Sequence, residues 1–198
     1  MYFEKEKIYH IYNRGNNHQR IFFKHENYLY FLRKVRKHIS PVADVLGYCL
    51  MPNHFHFMIY ANDKTIESKI VNKQERNLLS EALRNVLSSY THGINRQENR
   101  SGSLFSQNTK AKAVFDSFHN FYYVETCFYY IHQNPTKDHL VERLEDWPYS
   151  SFLDFAKLRN GTLCNQDLVK KLVHADWDDF YNSMHNYQFN QSDLSKIF

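Results

Sequence analysis

The sequence predicts an α+β fold, an antiparallel sheet with helices packed on it. Three observations carry that expectation. Short strand-like runs are set off by turn residues, two long stretches place apolar residues at helical spacing, and the elements follow in the order β, α, β, β, α, β, α. Ile8 and Ile11 open the first strand, which ends at the turn-rich Asn13-Arg14-Gly15-Asn16-Asn17. Tyr28, Phe31, Leu32, Val35 and Ile39 then recur at helical intervals, with Lys34, Arg36 and Lys37 turned outward and Ser40-Pro41 as the stop. Asp44 to Leu50 and His54 to Tyr60 read as two strands joined by the Met51-Pro52-Asn53 turn. After a polar stretch from Ala61, the residues Leu78, Leu79, Ala82, Leu83, Val86, Leu87 and Tyr90 form one apolar stripe, and this helix is expected to close near His92-Gly93. Arg96 to Gly102 is a basic loop, and Ser103 to Phe115 is expected as a strand with Lys110 and Lys112 on one face. A second long helix should run from about Phe118 to Asn134, ended by Pro135. The helices are expected to cover one side of the sheet. Past Trp147-Pro148 the chain turns acidic, with short helices expected at Gln166 to Val173 and near Trp177 to Met184. The organisation is therefore read as residues 1–151 followed by a mostly helical extension, 152–198.

Composition narrows the classes of function. In 198 residues, 42% are apolar and 17% aromatic, which excludes a disordered chain, and no apolar run approaches the length of a membrane span. The start, Met1 to Lys7, mixes charges and lacks the apolar core of a signal peptide, so a cytoplasmic chain is expected. Cys49, Cys127 and Cys164 are odd in number and far apart, which fits buried free thiols rather than a disulfide framework or a zinc site. Residues 1–112 carry 18 Lys and Arg against 9 Asp and Glu, whereas residues 113–198 carry 7 against 12. A basic body with aromatic faces suits single-stranded nucleic acid, which offers phosphates to cations and bases to rings, although most single aromatics in such a chain belong to the core.

Two segments carry chemistry. In a strand, His54 and His56 project from one face while Phe55 enters the core, so both imidazoles can converge on one cation. Two histidines leave an octahedral Mg²⁺ or Mn²⁺ open to a phosphate; the same pair also reads as two half-buried strand histidines. On the last long helix, Phe121, Val124, Phe128 and Ile131 make one stripe, and Tyr123, Cys127, Tyr130 and Asn134 make another nearly opposite. Tyr130 and Asn134 set a phenol, able to attack phosphorus, one turn from a hard oxygen ligand. A Tyr-rich helix buried on both sides, its end capped by Asn, gives the same pattern.

Several runs extend this pairing. They are Tyr9-His10-Ile11-Tyr12-Asn13-Arg14-Gly15, Leu50-Met51-Pro52-Asn53-His54-Phe55-His56, Gly102-Ser103-Leu104-Phe105 with Lys110, Tyr130-Ile131-His132-Gln133-Asn134-Pro135, and Trp147-Pro148-Tyr149-Ser150-Ser151. In order and spacing they resemble the single-tyrosine HUH transposases, and among them the REP-associated tyrosine transposases. The resemblance implies a ferredoxin-like or RRM-like HUH endonuclease fold, with His54 and His56 as metal ligands, Tyr130 as nucleophile, Asn134 as third ligand and Mg²⁺ or Mn²⁺ as cofactor. It further implies metal-dependent cleavage and rejoining of single-stranded or hairpin DNA through a 5′-phosphotyrosine, in DNA transposition, by a monomer or homodimer. Ser106-Gln107-Asn108 departs from the family pattern by lacking a Gly and a basic residue, which bears on local DNA contacts. Arg14, Lys110 and Lys112 are candidate DNA contacts, with solvated surface charge as the alternative for each. The rival function is a domesticated DNA- or RNA-binding protein that keeps the fold without transposing. A histidine-triad nucleotidyl hydrolase or transferase is excluded by Met58, which stands where its third histidine would be.

Overall fold

The first strand of the chain becomes an interior strand of the sheet. In the computed structural model, which describes residues 1–71, 73–114 and 121–189, β1 (Ile8–Arg14) pairs antiparallel with β3 (His54–Tyr60) on one side and with β6 (Lys110–Ala113) on the other. Strand β2 (Asp44–Met51) pairs with β3, which gives the order β2-β3-β1-β6. The helices α1 (His25–His38), α3 (Leu78–Gln97) and α4 (Phe121–Lys137) supply the long elements, with a single turn, α2 (Asp63–Ile66), before α3. A separate hairpin, β4 (Ser68–Val71) and β5 (Gln74–Asn77), leads into α3. Short helices α5 (Phe152–Phe155), α6 (Gln166–Leu172) and α7 (Phe180–Asn186) follow.

Alternation along the strands divides the side chains between two faces. Phe31 of α1 meets Phe55 and Phe57 of β3 at ring separations of 5.3 and 6.2 Å, and Tyr90 of α3 meets Phe31 edge-on at 4.9 Å. These helices cover the Phe55 face. Helix α4 lies on the opposite, His56 face, so the expectation that helices cover one side only is corrected. The reason lies in α4 itself: Val124, Cys127, Phe128, Tyr129 and Ile131 are all buried, and a helix apolar around most of its girth needs cover on more than one side. The sheet supplies one cover, and Phe155, Trp177 and Phe180, clustered around Phe128, supply another.

Other boundaries shift for local reasons. Helix α3 continues through Gly93 to Gln97, because Gly93 serves packing rather than termination: a Cβ there would lie 3.0 Å from the Tyr30 ring of α1. Helix α4 continues through Pro135 to Lys137. Pro135 has no N–H to offer Ile131, and the Asn134 amide nitrogen donates instead to the Tyr130 carbonyl at 2.8 Å and the Ile131 carbonyl at 3.4 Å. The strand expected over 103–115 shortens to β6 plus an isolated bridge between Gly15 and Phe105, while Phe115 and the helix start at 118–120 lie outside the described residues. The three cysteines are free and buried.

A buried polar staple fixes α4 to the sheet. The His132 Nδ1–H donates to the Phe128 carbonyl at 2.8 Å, and the Ser151 hydroxyl donates to His132 Nε2 at 2.7 Å while accepting the Tyr48 N–H of β2 at 2.9 Å. Burial lowers the His132 pKa from 6.5 to about 3. The neutral ring therefore contributes stability that is present above 6.5 and declines as pH falls from there toward 3. Urea unfolding measured at about pH 7 and about pH 5 should show stability falling by up to about 1.4 kcal/mol per pH unit from this residue, and His132→Gln should flatten the slope. An unchanged slope in the variant would count against the assignment.

Candidate metal-binding and nucleophilic site

The register of β1 on β3 places Tyr12 opposite His56 and Arg14 opposite His54, all on the face that α4 covers. There they line a cleft of about 690 Å³ together with Lys110 and Tyr130. The His54 and His56 rings stand perpendicular with centroids 5.0 Å apart, and the Tyr130 ring meets His56 perpendicularly at 5.7 Å. One chain thus supplies the imidazoles and the phenol. Asn134, one turn beyond Tyr130, is buried, and with its nitrogen committed to helix carbonyls its oxygen is the atom able to act as a ligand.

The ring nitrogens indicate where a cation fits. His54 Nδ1–H donates to the Asn53 side-chain oxygen at 2.7 Å, which leaves its Nε2 as the lone-pair nitrogen. His56, 3% exposed, bonds through Nδ1 to His10 Nε2 at 2.9 Å, while its Nε2 is buried with no hydrogen-bond partner among the described residues. An orphaned buried nitrogen costs about 1–3 kcal/mol unless a ligand satisfies it. Among the described residues, no group of three or more His, Cys, Asp or Glu is placed to hold a metal ion; the Asn134 carboxamide is a hard oxygen donor of the kind such an ion takes, but it is not among the residues that line the cleft. Two imidazoles and one amide oxygen fit a divalent ion that retains open positions.

Electrostatics sharpen the picture. Burial lowers the His54 pKa, opposed by the Asp138 carboxylate, and burial beside the His10 and His54 imidazoles holds His56 well below its ordinary 6.5. Both rings are neutral, as metal ligands must be. Burial raises the Tyr130 phenol above its ordinary 10, Asp138 adds to that, and a hydrogen bond from the Asn134 side chain opposes it. The Lys137 ammonium lies 5.0 Å from the Tyr130 ring centroid and 3.4 Å from that of Phe189, and desolvation lowers its pKa to about 8.

Of the candidate DNA contacts, Arg14 and Lys110 reach the cleft, whereas Lys112 pairs with His10 and lies outside its lining. Ser106, Gln107 and Asn108 line the cleft and bring polar atoms where the sequence pattern lacks a base. Sequence reasoning passed over His10 and Lys137. Lys137 lies past Pro135, where the sequence points to the end of the helix, and His10 becomes visible only once the strand register is known.

No known family model and no curated protein sequence matches the chain. Among solved structures, the fold is similar to that of a REP-associated tyrosine transposase bound to a REP hairpin, with a TM-score of 0.60 over 79% of this chain and 83% of that one, at 15% identity. The antiparallel sheet with packed helices is common to both. Among the described residues, no helix is long and apolar enough to cross a membrane.

Proposed function

We propose that the chain is a metal-dependent, transposase-type nuclease and strand transferase acting on single-stranded or hairpin DNA. In this reading Tyr130 is the nucleophile, and His54, His56 and Asn134 hold Mg²⁺ or Mn²⁺. The observation that carries it is the approach of Tyr130 to His56 at 5.7 Å, beside the unpartnered His56 Nε2, in a fold similar to a tyrosine transposase solved on a DNA hairpin.

The Tyr130 oxygen attacks phosphorus, an Oη–P bond forms and the P–O3′ bond breaks. The departing 3′ oxygen takes up a proton to leave a 3′-hydroxyl, and the 5′-phosphate stays on Tyr130. The energy of the broken linkage is kept in the ester, so a 3′-hydroxyl can attack it later, rejoin the strands and restore the phenol. A divalent cation held by the two imidazoles and the amide oxygen supplies charge stabilisation at the phosphate. Burial and the Asp138 carboxylate oppose ionisation of the phenol, and the Asn134 hydrogen bond favours it. Arg14 and Lys110 at the rim fit flanking phosphates, with Lys112 next along β6.

Labelled single-stranded and hairpin oligonucleotides from the flanks of its own gene, incubated with Mg²⁺ or Mn²⁺ and run on denaturing gels, test the reading. A covalent adduct is expected, mapping to Tyr130. Tyr130→Phe should bind DNA like the parent and form none, whereas Tyr123→Phe should still form one. An adduct mapping to Tyr129, whose hydroxyl bonds Ser183 at 2.7 Å, would overturn the assignment. His54→Ala or His56→Ala should lower cleavage by more than about 100-fold, beyond the roughly 10–100-fold usual for outer-shell changes. Binding without cleavage by the parent would favour the domesticated reading. A second expectation concerns affinity: single-stranded or hairpin DNA should bind more tightly than blunt duplex and weaken as salt rises, as a filter-binding titration would show.

A further inference from the structure

We infer that His10 is a positioning residue for His56: its Nε2 accepts the His56 Nδ1 proton and so holds His56 in the tautomer whose Nε2 lone pair is open to a cation. The inference rests on the metal reading of the site, but its evidence is a separate contact.

Both rings are buried, His10 at 0% and His56 at 3% exposure, and their facing nitrogens are 2.9 Å apart. Two neutral imidazoles joined in this way have only two arrangements, because one nitrogen must donate and the other accept. If His10 donated, the His56 proton would sit on Nε2, a buried N–H with no acceptor among the described residues. If His56 donates, that same nitrogen carries a lone pair, the state in which a histidine binds metal. The second arrangement converts the orphaned atom into a ligand.

The strands make the contact permanent. His10 lies two residues from Tyr12, the residue that pairs with His56, so it reaches His56 diagonally across the β1–β3 ladder. Its ring stacks on Tyr12 at 4.7 Å and lies nearly parallel to His56, 20° apart with centroids at 5.1 Å, the arrangement of an in-plane hydrogen bond between the two rings, and these contacts limit rotation of both imidazoles. A ligating histidine commonly gives its other N–H to a fixed acceptor, which sets tautomer and orientation and raises basicity. Here the acceptor is another imidazole.

The test combines imidazole nitrogen NMR on the metal-free protein with Mn²⁺ titration followed by electron paramagnetic resonance. In the parent, His56 should carry its proton on Nδ1. His10→Phe, which keeps the ring but removes the acceptor, should move His56 toward the Nε2–H form and weaken Mn²⁺ binding by roughly 10–100-fold. His10→Gln, whose side-chain oxygen can accept, should retain the Nδ1–H form and bind within a few-fold of the parent. A parent His56 protonated on Nε2, or a Phe variant with unchanged tautomer and affinity, would overturn the inference. Should the parent bind no Mn²⁺, the metal reading fails, and the tautomers of parent and variants still decide whether His10 controls His56.

Discussion

Gly47 is the point where α4 comes down onto β2, and the placement of the site follows from that contact. A methyl group at this residue would lie 3.4 Å from both His132 and Phe128, in van der Waals contact, so the side chains of the helix rest directly on the strand backbone here. The strand is irregular there, with a register shift between Val45 and Gly47, and the helix above is held by the His132–Ser151–Tyr48 staple. Tyr130 and Asn134 ride on the same rigid helix. A displacement at Gly47 is therefore transmitted to the distance between phenol and imidazoles, because α-helices do not stretch and the core around Phe128 is close-packed.

Burial acts on this cleft in opposite senses. It keeps His54 and His56 neutral, which suits coordination, and it keeps the Tyr130 phenol protonated, which does not suit attack. No rearrangement of apolar side chains improves both. Positive charge does, since it stabilises a phenolate and is drawn to neutral imidazole lone pairs, and Lys137 is one such charge already beside the ring. In the proposed reading, a further cation arriving with the phosphate would supply the charge that the buried phenol lacks.

Much of the architecture could be read from periodicity. The Tyr28 to Ile39 stripe, the two strands flanking Met51-Pro52-Asn53 and the double stripe of the last helix are local patterns, and local patterns survive folding. What escaped depended on distant partners. Gly93 looked like a stop because its packing role needs Tyr30, 63 positions earlier, and Pro135 looked like one because Asn134 replaces the hydrogen bond it cannot make. The β4–β5 hairpin has mostly polar, exposed residues and hence no apolar alternation to announce it. The candidate site divides in the same way. His54, His56, Tyr130 and Asn134 announce themselves by short-range spacing, whereas His10 is joined to His56 by a pairing register that no nearby residue encodes.

That register also governs the order in which the molecule can be completed. The strand at the middle of the sheet is made first, yet its partner on one side, β6, ends at Ala113, and the hydroxyl that pins α4 belongs to Ser151. During synthesis β1 and β3 can pair early, leaving the outer edge of β1 open until residues 110–113 emerge from the ribosome. The imidazoles are then in place before the phenol has a fixed berth, because Tyr130 and the Ser151 hydroxyl that pins its helix are translated later.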